Sequence, residues 1–170
     1  PVAAVDWGSR RATLCAVLGG RPLFVRCLRD AGFSGIIEAL CKHLSVTPDE
    51  AQKLLTDHGL PNHKLNTCEE LQSVIEEVAA QSLTVFIEEL NRTVQFLRQQ
   101  RRALAPSKLV LFGGGGTVKN IADYLYDKVD LPVEVWHLDG CQAFHAPGRK
   151  TPLELLGPAI ALSALAWSKT

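Results

Sequence analysis

The segment KLVLFGGGGTVKNIADYL, from Lys108 to Leu125, constrains the possible folds more than any other part of the sequence. Its apolar run from Leu109 to Phe112 predicts a short buried strand. Four glycines follow, and Thr117 can then cap a helix, because apolar residues recur after it at helical spacing. The segment therefore predicts a strand, a glycine turn and a helix in succession.

The four glycines favour a bound anion over a plain turn. Glycine has no Cβ, so its backbone can take a positive φ and come close to a ligand. A helix that starts at Thr117 would direct free N–H groups at the turn, which suits a phosphate. Neither common phosphate motif fits. Thr117 stands where a P-loop needs Lys, and Val118 or Lys119 stands where the dinucleotide fingerprint needs its third glycine. A tight turn without a ligand is the alternative.

The rest of the chain predicts strands and helices arranged around this segment. The first thirty residues give an antiparallel meander of three strands, with a hairpin turn at Gly19 and Gly20. Thr47, Pro48 and Glu50 have the spacing of a capping box at the start of a helix. The predicted strands are residues 2–7, 12–18, 22–28, 108–112 and 132–138, and the predicted helices are residues 34–44, 47–55, 68–103, 117–128 and 153–167.

This order of elements is typical of a ribonuclease-H-like fold. The expected α/β architecture is a mixed five-stranded sheet with flanking helices and a helical insertion. Residues 1–46 and 104–170 form the ribonuclease-H-like subdomain in this interpretation. Residues 47–103 form a helical insertion subdomain that stands partly apart from the sheet. Right-handed crossovers make the strand at 108–112 parallel to the first strand, so Asp6 is expected beside the glycine turn.

Length and charge exclude several classes of protein. At 170 residues the chain is one domain or one lobe of a larger protein. Its 18 basic and 18 acidic residues give zero net charge, which argues against a nucleic-acid or anionic-membrane partner. No apolar run is long enough for direct membrane insertion, and no signal peptide is visible. The chain has no Met and begins at Pro1, so we expect a piece of a longer protein or a processed product.

Several motifs and their order along the chain resemble those of the actin-like ATPases and sugar kinases. The motif DWGS at residues 6–9, with Thr13 opening the next strand, resembles their second phosphate-binding hairpin. The segment LFGGGG resembles their adenosine-binding segment. Over nearly its whole length the chain is most similar to the second, C-terminal domain of the PilM family of type IV pilus assembly proteins. The similarity is carried by VAAVDWGSRRATLCAVLGGRPLFVRCL, SVTPDEAQKLL, LNRTVQFLRQQ, KLVLFGGGGTVKNIADYLYDKVDLPVEVW and LLGPAIALSALA.

The resemblance implies a two-lobed protein with ATP and Mg²⁺ in the cleft between its lobes. Asp6 would hold the metal through water, the hairpin would approach the phosphates, and the glycine turn would pack against adenosine. Such chemistry is reasonable, because phosphoryl charge needs a metal ion and N–H donors more than a covalent catalyst. The implied cofactor-binding residues are Asp6, Gly8, Ser9, Arg10, Thr13, Gly113, Gly114, Gly115 and Gly116, with no catalytic residue among them.

The implied role is that of a nucleotide-binding lobe in a cytoplasmic platform for type IV pilus or secretion-type assembly. Its partners would be the first lobe of the same protein and inner-membrane pilus or secretion proteins, so that the protein lies peripherally at the inner membrane. No second acid stands where it could activate water. We therefore expect this piece alone to be inactive as an ATPase.

Two features depart from the family pattern. The sequence DAGF at residues 30–33 replaces a Gly-Gly pair, and the bulky Trp7, Arg10 and Arg11 are expected to crowd the phosphate hairpin. Asp6 could also only shape the hairpin by accepting N–H bonds from it. The alternatives for the whole chain are a docking scaffold without nucleotide turnover, a lobe of a sugar or acyl kinase, and a two-metal nuclease. The nuclease needs several acids at strand ends, where only Asp6 is evident.

Overall fold

The computed structural model describes residues 1–62, 69–100 and 104–136. The strands are β1 (Val2–Trp7), β2 (Ala12–Leu18), β3 (Arg21–Leu28), β4 (Lys108–Phe112) and β5 (Val133–Val135). The α-helices are α1 (Ser34–Leu44), α2 (Pro48–Asp57), α3 (Glu70–Gln100) and α4 (Ile121–Tyr126). The predicted helix over 153–167, and the predicted ends of elements at 68, 101–103 and 137–138, lie outside the described residues.

All five strands form one mixed sheet in the order β3-β2-β1-β4-β5. β1 is antiparallel to β2 and parallel to β4, and β5 is parallel to β4 at the edge. The predicted α/β fold, with its meander and its mixed five-stranded sheet, is therefore confirmed. Phe112 lies opposite Asp6 in the register of β1 and β4, so the glycine turn begins beside the acid.

One face of the sheet carries the hydrophobic core. β1 alternates strictly, with Ala3, Val5 and Trp7 buried and the residues between them half-buried. Val5 lies opposite Leu14 of β2 and Leu111 of β4, so both neighbouring strands add buried residues to the same face. Helices α1 and α3 pack on each other and share one hydrophobic cluster with this face. The acid near the end of β1 is consequently left on the opposite face.

The long helix α3 packs directly on the sheet through an aromatic stack. The ring of Phe86 lies parallel to the indole of Trp7, with centroids 3.8 Å apart and an interplanar angle of 2°. Arg26 of β3 also donates hydrogen bonds to Thr93 and Glu89 of α3. The insertion contains helices α2 and α3, and buried residues of both belong to the hydrophobic cluster that includes the sheet. The domain boundaries themselves stay a prediction.

Helix α2 begins at the predicted capping box. The hydroxyl of Thr47 accepts a hydrogen bond from the N–H of Glu50, and the Glu50 carboxylate accepts one from the N–H of Thr47 at 2.8 Å. The donors of Thr47 hold the pKa of Glu50 below its usual range. Local sequence alone therefore fixes where α2 starts.

The segment after β4 differs from the prediction. Gly114–Thr117 form a 3-10 turn, and α4 begins only at Ile121 and ends at Tyr126. Thr117 does not cap a helix, because its hydroxyl donates to the carbonyl of Gly114 at 2.7 Å. Asn120, with a φ of 65°, interrupts the helical path. The predicted helix over 117–128 is wrong at both ends. The helix-dipole argument for an anion at the turn also fails, because α4 is short and starts beyond the turn.

We expect Phe86→Ala to lower the free energy of unfolding by about 3–5 kcal/mol, because it removes a ring stacked on Trp7 inside the core. Denaturant unfolding measures the loss. Phe96 lies on the same helix but is 42% exposed. Phe96→Ala is therefore a matched control, with an expected loss of about 1 kcal/mol. Equal losses in the two variants would contradict the packing of α3 on the sheet.

Candidate functional site

The candidate site lies where β1 and β4 end side by side. Because Asp6 pairs with Phe112, the first glycine of the turn follows directly beside the carboxylate. Gly113 has a φ of 85°, and a Cβ added there would lie 2.5 Å from Oδ1 of Asp6. Both the backbone conformation and the space next to the acid therefore require glycine at this position.

The carboxylate of Asp6 has no hydrogen-bond or ion-pair partner among the described residues. The residue is half-buried. Burial raises the pKa of Asp6 above its usual range, because desolvation disfavours the charged form. A carboxylate held in this way is suited to a cation brought by a ligand. The alternative in which Asp6 only shapes the hairpin through N–H bonds has no support in these contacts.

The loop between β3 and α1 fixes the hairpin that follows Asp6. The N–H of Phe33 donates to the carbonyl of Gly8 at 3.0 Å, and the N–H of Ser34 donates to the carbonyl of Ser9 at 2.8 Å. Gly32 lies so close to this hairpin that a Cβ on it would overlap the backbone of Ser9 and Arg10. The loop lacks the Gly-Gly pair of the family, but it has Gly32 at the point where its backbone contacts the backbone of the hairpin.

Two cavities meet at this hairpin. One, of about 540 Å³, is lined by Asp6, Gly8, Ser9, Arg10, Arg11 and Thr13. The other, of about 430 Å³, shares the first three of these residues and extends to Phe33, Ser34, Ile37, Gln52, Gly113 and Gly114. The first cavity is rich in charged and polar groups, whereas the second has an aromatic ring, an aliphatic side chain and a single amide. A ligand that fills both would need an anionic part and a flat apolar part.

The arginines of the hairpin line the charged cavity and do not block it. Arg10 and Arg11 are exposed, and neither forms an ion pair within the part of the chain that the structure describes. Trp7 points away from the cavity, since its indole is 1% exposed and donates to the carbonyl of Ala31 at 3.0 Å. The expectation that Trp7 crowds the hairpin is therefore wrong. The sheet alternation directs Trp7 into the core.

The four glycines of the turn divide into two pairs. Gly113 and Gly114 line the second cavity. Gly115 and Gly116 are buried and line neither cavity. A Cβ on Gly115 would overlap the indole of Trp7. The N–H of Gly116 donates to the carbonyl of Gly113 at 3.0 Å. Half of the glycine run therefore serves packing, and half borders the space for a ligand.

The structure adds lining residues that the sequence interpretation missed, namely Arg11, Phe33, Ser34, Ile37 and Gln52. Arg11 continues the hairpin and could have been included on that ground. The others come from α1, α2 and the loop before α1, and only tertiary contacts bring them to the site. Within the described residues no group of three or more His, Cys, Asp or Glu side chains could form a metal cluster. In the same part of the chain, no helix has the length and apolar character needed to cross a membrane.

No protein-family model matches the sequence, and no curated protein matches it significantly. Solved structures match it by shape. A PilM–PilN type IV pilus biogenesis complex matches with 22% identity and a TM-score of 0.63, over 80% of this chain and 35% of that chain. A non-polymerising MamK mutant bound to AMPPNP matches with 15% identity and a TM-score of 0.60, over 81% of this chain and 50% of that chain. The ethanolamine utilization protein EutJ from Carboxydothermus hydrogenoformans matches with 13% identity and a TM-score of 0.52, over 78% of this chain and 43% of that chain.

These matches identify the fold. The chain has the fold of the actin-like ATPases, and PilM is among the proteins that share it. The resemblance predicted from the motifs is therefore confirmed at the level of the fold. The chain spans half or less of the length of each of these proteins, so a large part of each has no counterpart in it.

We expect Asp6→Asn to raise the melting temperature of the ligand-free protein slightly at pH 7, by about 2 °C or less. The pKa of Asp6 is raised by burial, so the folded state binds this proton more tightly than the unfolded chain. The ionised carboxylate therefore destabilises the fold above its folded pKa, and the effect is relieved as the pH falls through that pKa. The gain from Asp6→Asn should vanish near pH 4, close to the unfolded pKa of about 3.9.

Thermal unfolding of wild type and variant between pH 4 and 8 measures this difference. Glu77→Gln removes an exposed charge from the N-terminal half of α3 and controls for the change in net charge. A clear loss of stability in Asp6→Asn at pH 7 would mean that the carboxylate supports the hairpin through hydrogen bonds, contrary to its environment in the structure.

We expect Gly115→Ala to lower the free energy of unfolding by about 1–3 kcal/mol, because the added methyl group overlaps the buried indole of Trp7. Denaturant unfolding measures the loss. Gly35→Ala is the control. Its Cβ would meet the side chain of Ser82, with the flexible hydroxyl at 3.0 Å and the Cβ at 3.7 Å, and the expected change is within about 0.5 kcal/mol. A neutral Gly115→Ala would show that Trp7 does not require this glycine.

Proposed function

We propose that this chain is the nucleotide-binding lobe of a PilM-like actin-like protein that acts as a cytoplasmic platform in type IV pilus or secretion-type assembly. One observation carries the nucleotide assignment: a charged cavity and a largely apolar cavity meet at Asp6, Gly8 and Ser9. A nucleotide has the matching chemistry, because its phosphate chain is anionic and its base is a flat ring. ATP with Mg²⁺ is the proposed ligand.

The charged cavity suits the phosphates and their metal ion. Gly8 and Ser9 bring backbone close to the ligand space, and Arg10 and Arg11 supply two cations without ion-pair partners among the described residues. The carboxylate of Asp6, which has no partner among the described residues, fits a hard cation such as Mg²⁺, which it would hold directly or through water. Mg²⁺ would neutralise part of the phosphate charge.

The second cavity suits the nucleoside. The ring of Phe33 and the side chain of Ile37 form its apolar walls, and Gly113 and Gly114 allow the backbone to come close to a ring or a ribose. Gly115 and Gly116, also assigned to the nucleotide by the resemblance, would act indirectly by holding this turn on Trp7.

The proposed role places further requirements on the rest of the protein. A first lobe would close the other side of the cleft and bring the first phosphate-binding hairpin, so the chain alone would bind weakly and would not hydrolyse ATP. One matching structure is a complex of PilM with PilN in type IV pilus biogenesis, which supports a protein partner for the whole protein. Through such inner-membrane partners the protein would lie peripherally on the cytoplasmic side of the inner membrane.

Titration of the full-length protein with Mg-ATP tests the proposal. We expect saturable binding in calorimetry, and an affinity about tenfold or more lower in the double variant Arg10→Gln with Arg11→Gln. Hydrogen bonds to charged groups are worth about 1.5–3 kcal/mol, so losing two donors for the phosphates is a large effect. The affinity gap should shrink as salt is added, since these side chains are exposed.

The matched control is Arg21→Gln with Arg29→Gln, which removes the same charge from exposed positions that line neither cavity. Equal effects of the two double variants would mean that Arg10 and Arg11 act only through the overall positive charge of the protein and not through contacts with the phosphates. Failure of the wild-type protein to bind Mg-ATP at millimolar concentration would overturn the nucleotide assignment and leave the docking scaffold. Transfer of phosphate to a sugar or a carboxylic acid would establish the kinase alternative.

A further inference from the structure

Strand β3 forms one edge of the sheet, and no described strand lies on its outer side. It pairs with β2 alone, so alternate residues direct their N–H and C=O groups outward. With eight residues it is longer than β5, the three-residue strand at the opposite edge. An edge of this length can pair with a strand of another chain unless the protein protects it.

The protective features of this edge lie in the first part of the strand. Arg21 places a charge at its start, and Pro22 has no N–H to donate to a neighbour. A shift in the register with β2 then leaves Leu23 unpaired as a bulge, which bends the strand. These features oppose strand pairing over residues 21–23 only.

Residues 24–28, the open half of β3, have no such protection. They pair with β2 in regular register. Their one charged residue is Arg26, whose guanidinium donates to the carboxylate of Glu89 on α3 at 3.0 Å, on the helix side of the sheet. Val25 lies on the opposite side and is 62% exposed. The open half therefore offers outward main-chain groups beside an exposed apolar side chain.

An exposed aromatic ring lies next to this edge on the helix side. Phe96 of α3 is 42% exposed, and its ring centroid is 5.7 Å from that of Phe24. A strand added to β3 would direct alternate side chains toward this ring and the others toward the side of Val25. The open half of β3 and Phe96 thus offer apolar contacts to both faces of an added strand.

The charges at this edge decide between the possible occupants. Residues 21–29 include three arginines and no acid, although the whole chain has zero net charge, and the first acid, Asp30, lies in the turn beyond the strand. Arg21 and Arg29 are exposed and form no ion pair with a described residue. A second copy of the chain would bring the same arginines to the edge in any register, so pairing of β3 with β3 is disfavoured. A strand that carries carboxylates complements the edge.

We propose that the open half of β3 is a docking site for an extended acidic segment of a partner protein, which adds to the sheet as a strand beside β3. The segment has apolar residues at alternate positions, which pack on Phe96, and carboxylates that pair with Arg21 and Arg29. Main-chain hydrogen bonds supply affinity, and the charges select the partner. The inference does not depend on the nucleotide assignment, because none of these residues lines either cavity at Asp6.

Binding of two synthetic peptides to the full-length protein, without nucleotide, tests this inference. The probes are EVTVTVE and KVTVTVK, each labelled with a fluorophore, and anisotropy measures their affinity. We expect EVTVTVE to bind saturably and at least about tenfold more tightly than KVTVTVK, because only its end charges complement the arginines. Bound EVTVTVE should also slow hydrogen exchange of main-chain amides in residues 24–28, as strand addition requires.

Two variants assign the contacts. Phe96→Ala should weaken EVTVTVE binding by about fivefold or more, since it removes the aromatic contact. Arg21→Gln with Arg29→Gln should reduce the preference for EVTVTVE to about threefold or less. Tyr126→Ala is the matched control. It removes a ring of similar exposure, 47%, from α4 next to β5 at the opposite edge, and should leave the affinity unchanged.

Several results would overturn the inference. They are no binding of EVTVTVE at millimolar concentration, equal affinity for both peptides, binding without slower exchange in residues 24–28, and equal losses in Phe96→Ala and Tyr126→Ala. Dimerisation of the peptide-free protein that Phe96→Ala abolishes would make a second copy the occupant and would also overturn it. Each of these results leaves the nucleotide assignment standing, and failure to bind Mg-ATP leaves the docking site standing.

Discussion

The stacking of Trp7 on Phe86 is the contact on which the rest of the structure depends. The indole lies at the end of β1 and packs flat on α3. Its ring lies at 75° to that of Phe33, its N–H donates to the carbonyl of Ala31, and its atoms fill the space beside Gly115. One buried side chain thus joins the first strand, the insertion helix, the loop before α1 and the glycine turn. Aromatic burial of this size contributes several kcal/mol, so these four elements are held as one unit.

The same strand that buries Trp7 exposes Asp6 to the site, because neighbouring side chains of a strand lie on opposite faces. Burial of the Asp6 carboxylate, which has no partner among the described residues, costs folding free energy, and the raised pKa of Asp6 reflects that cost. The Trp7 core offsets it by holding the end of β1 in place. Trp7 therefore contributes stability and Asp6 contributes binding chemistry. Because the two residues are adjacent in β1, a shift of one backbone position shifts the other.

Much of this arrangement could be predicted from the sequence, because its signals are local. The three-stranded meander, the capping box at Thr47 and the convergence of Asp6 with the glycine turn are all confirmed. The prediction of a helix that starts at Thr117 was wrong. Gly114–Thr117 form a 3-10 turn, and Asn120 takes a left-handed conformation that helical periodicity does not reveal. Two further features could not be predicted, namely the side of the sheet to which Trp7 points and the position of α2 beside the cavity. Both depend on tertiary packing, which leaves no local pattern in a single sequence.

The contacts of α2 explain how a residue of the insertion can belong to a site built on the sheet. The N–H of Lys119 donates to the carbonyl of Leu55 at 3.0 Å, and the carbonyl of Lys119 accepts from the N–H of Leu60 at 3.1 Å. Gly59, with a φ of 71°, lies so close to Lys119 that a side chain there would overlap its backbone. The end of α2 is therefore joined by main-chain bonds to the segment that continues the glycine turn. These bonds hold α2 beside the turn, where Nε2 of Gln52 donates to Oγ1 of Thr117 at 3.1 Å. Main-chain bonds therefore bring a side chain of the insertion to the edge of a cavity that is built on the sheet.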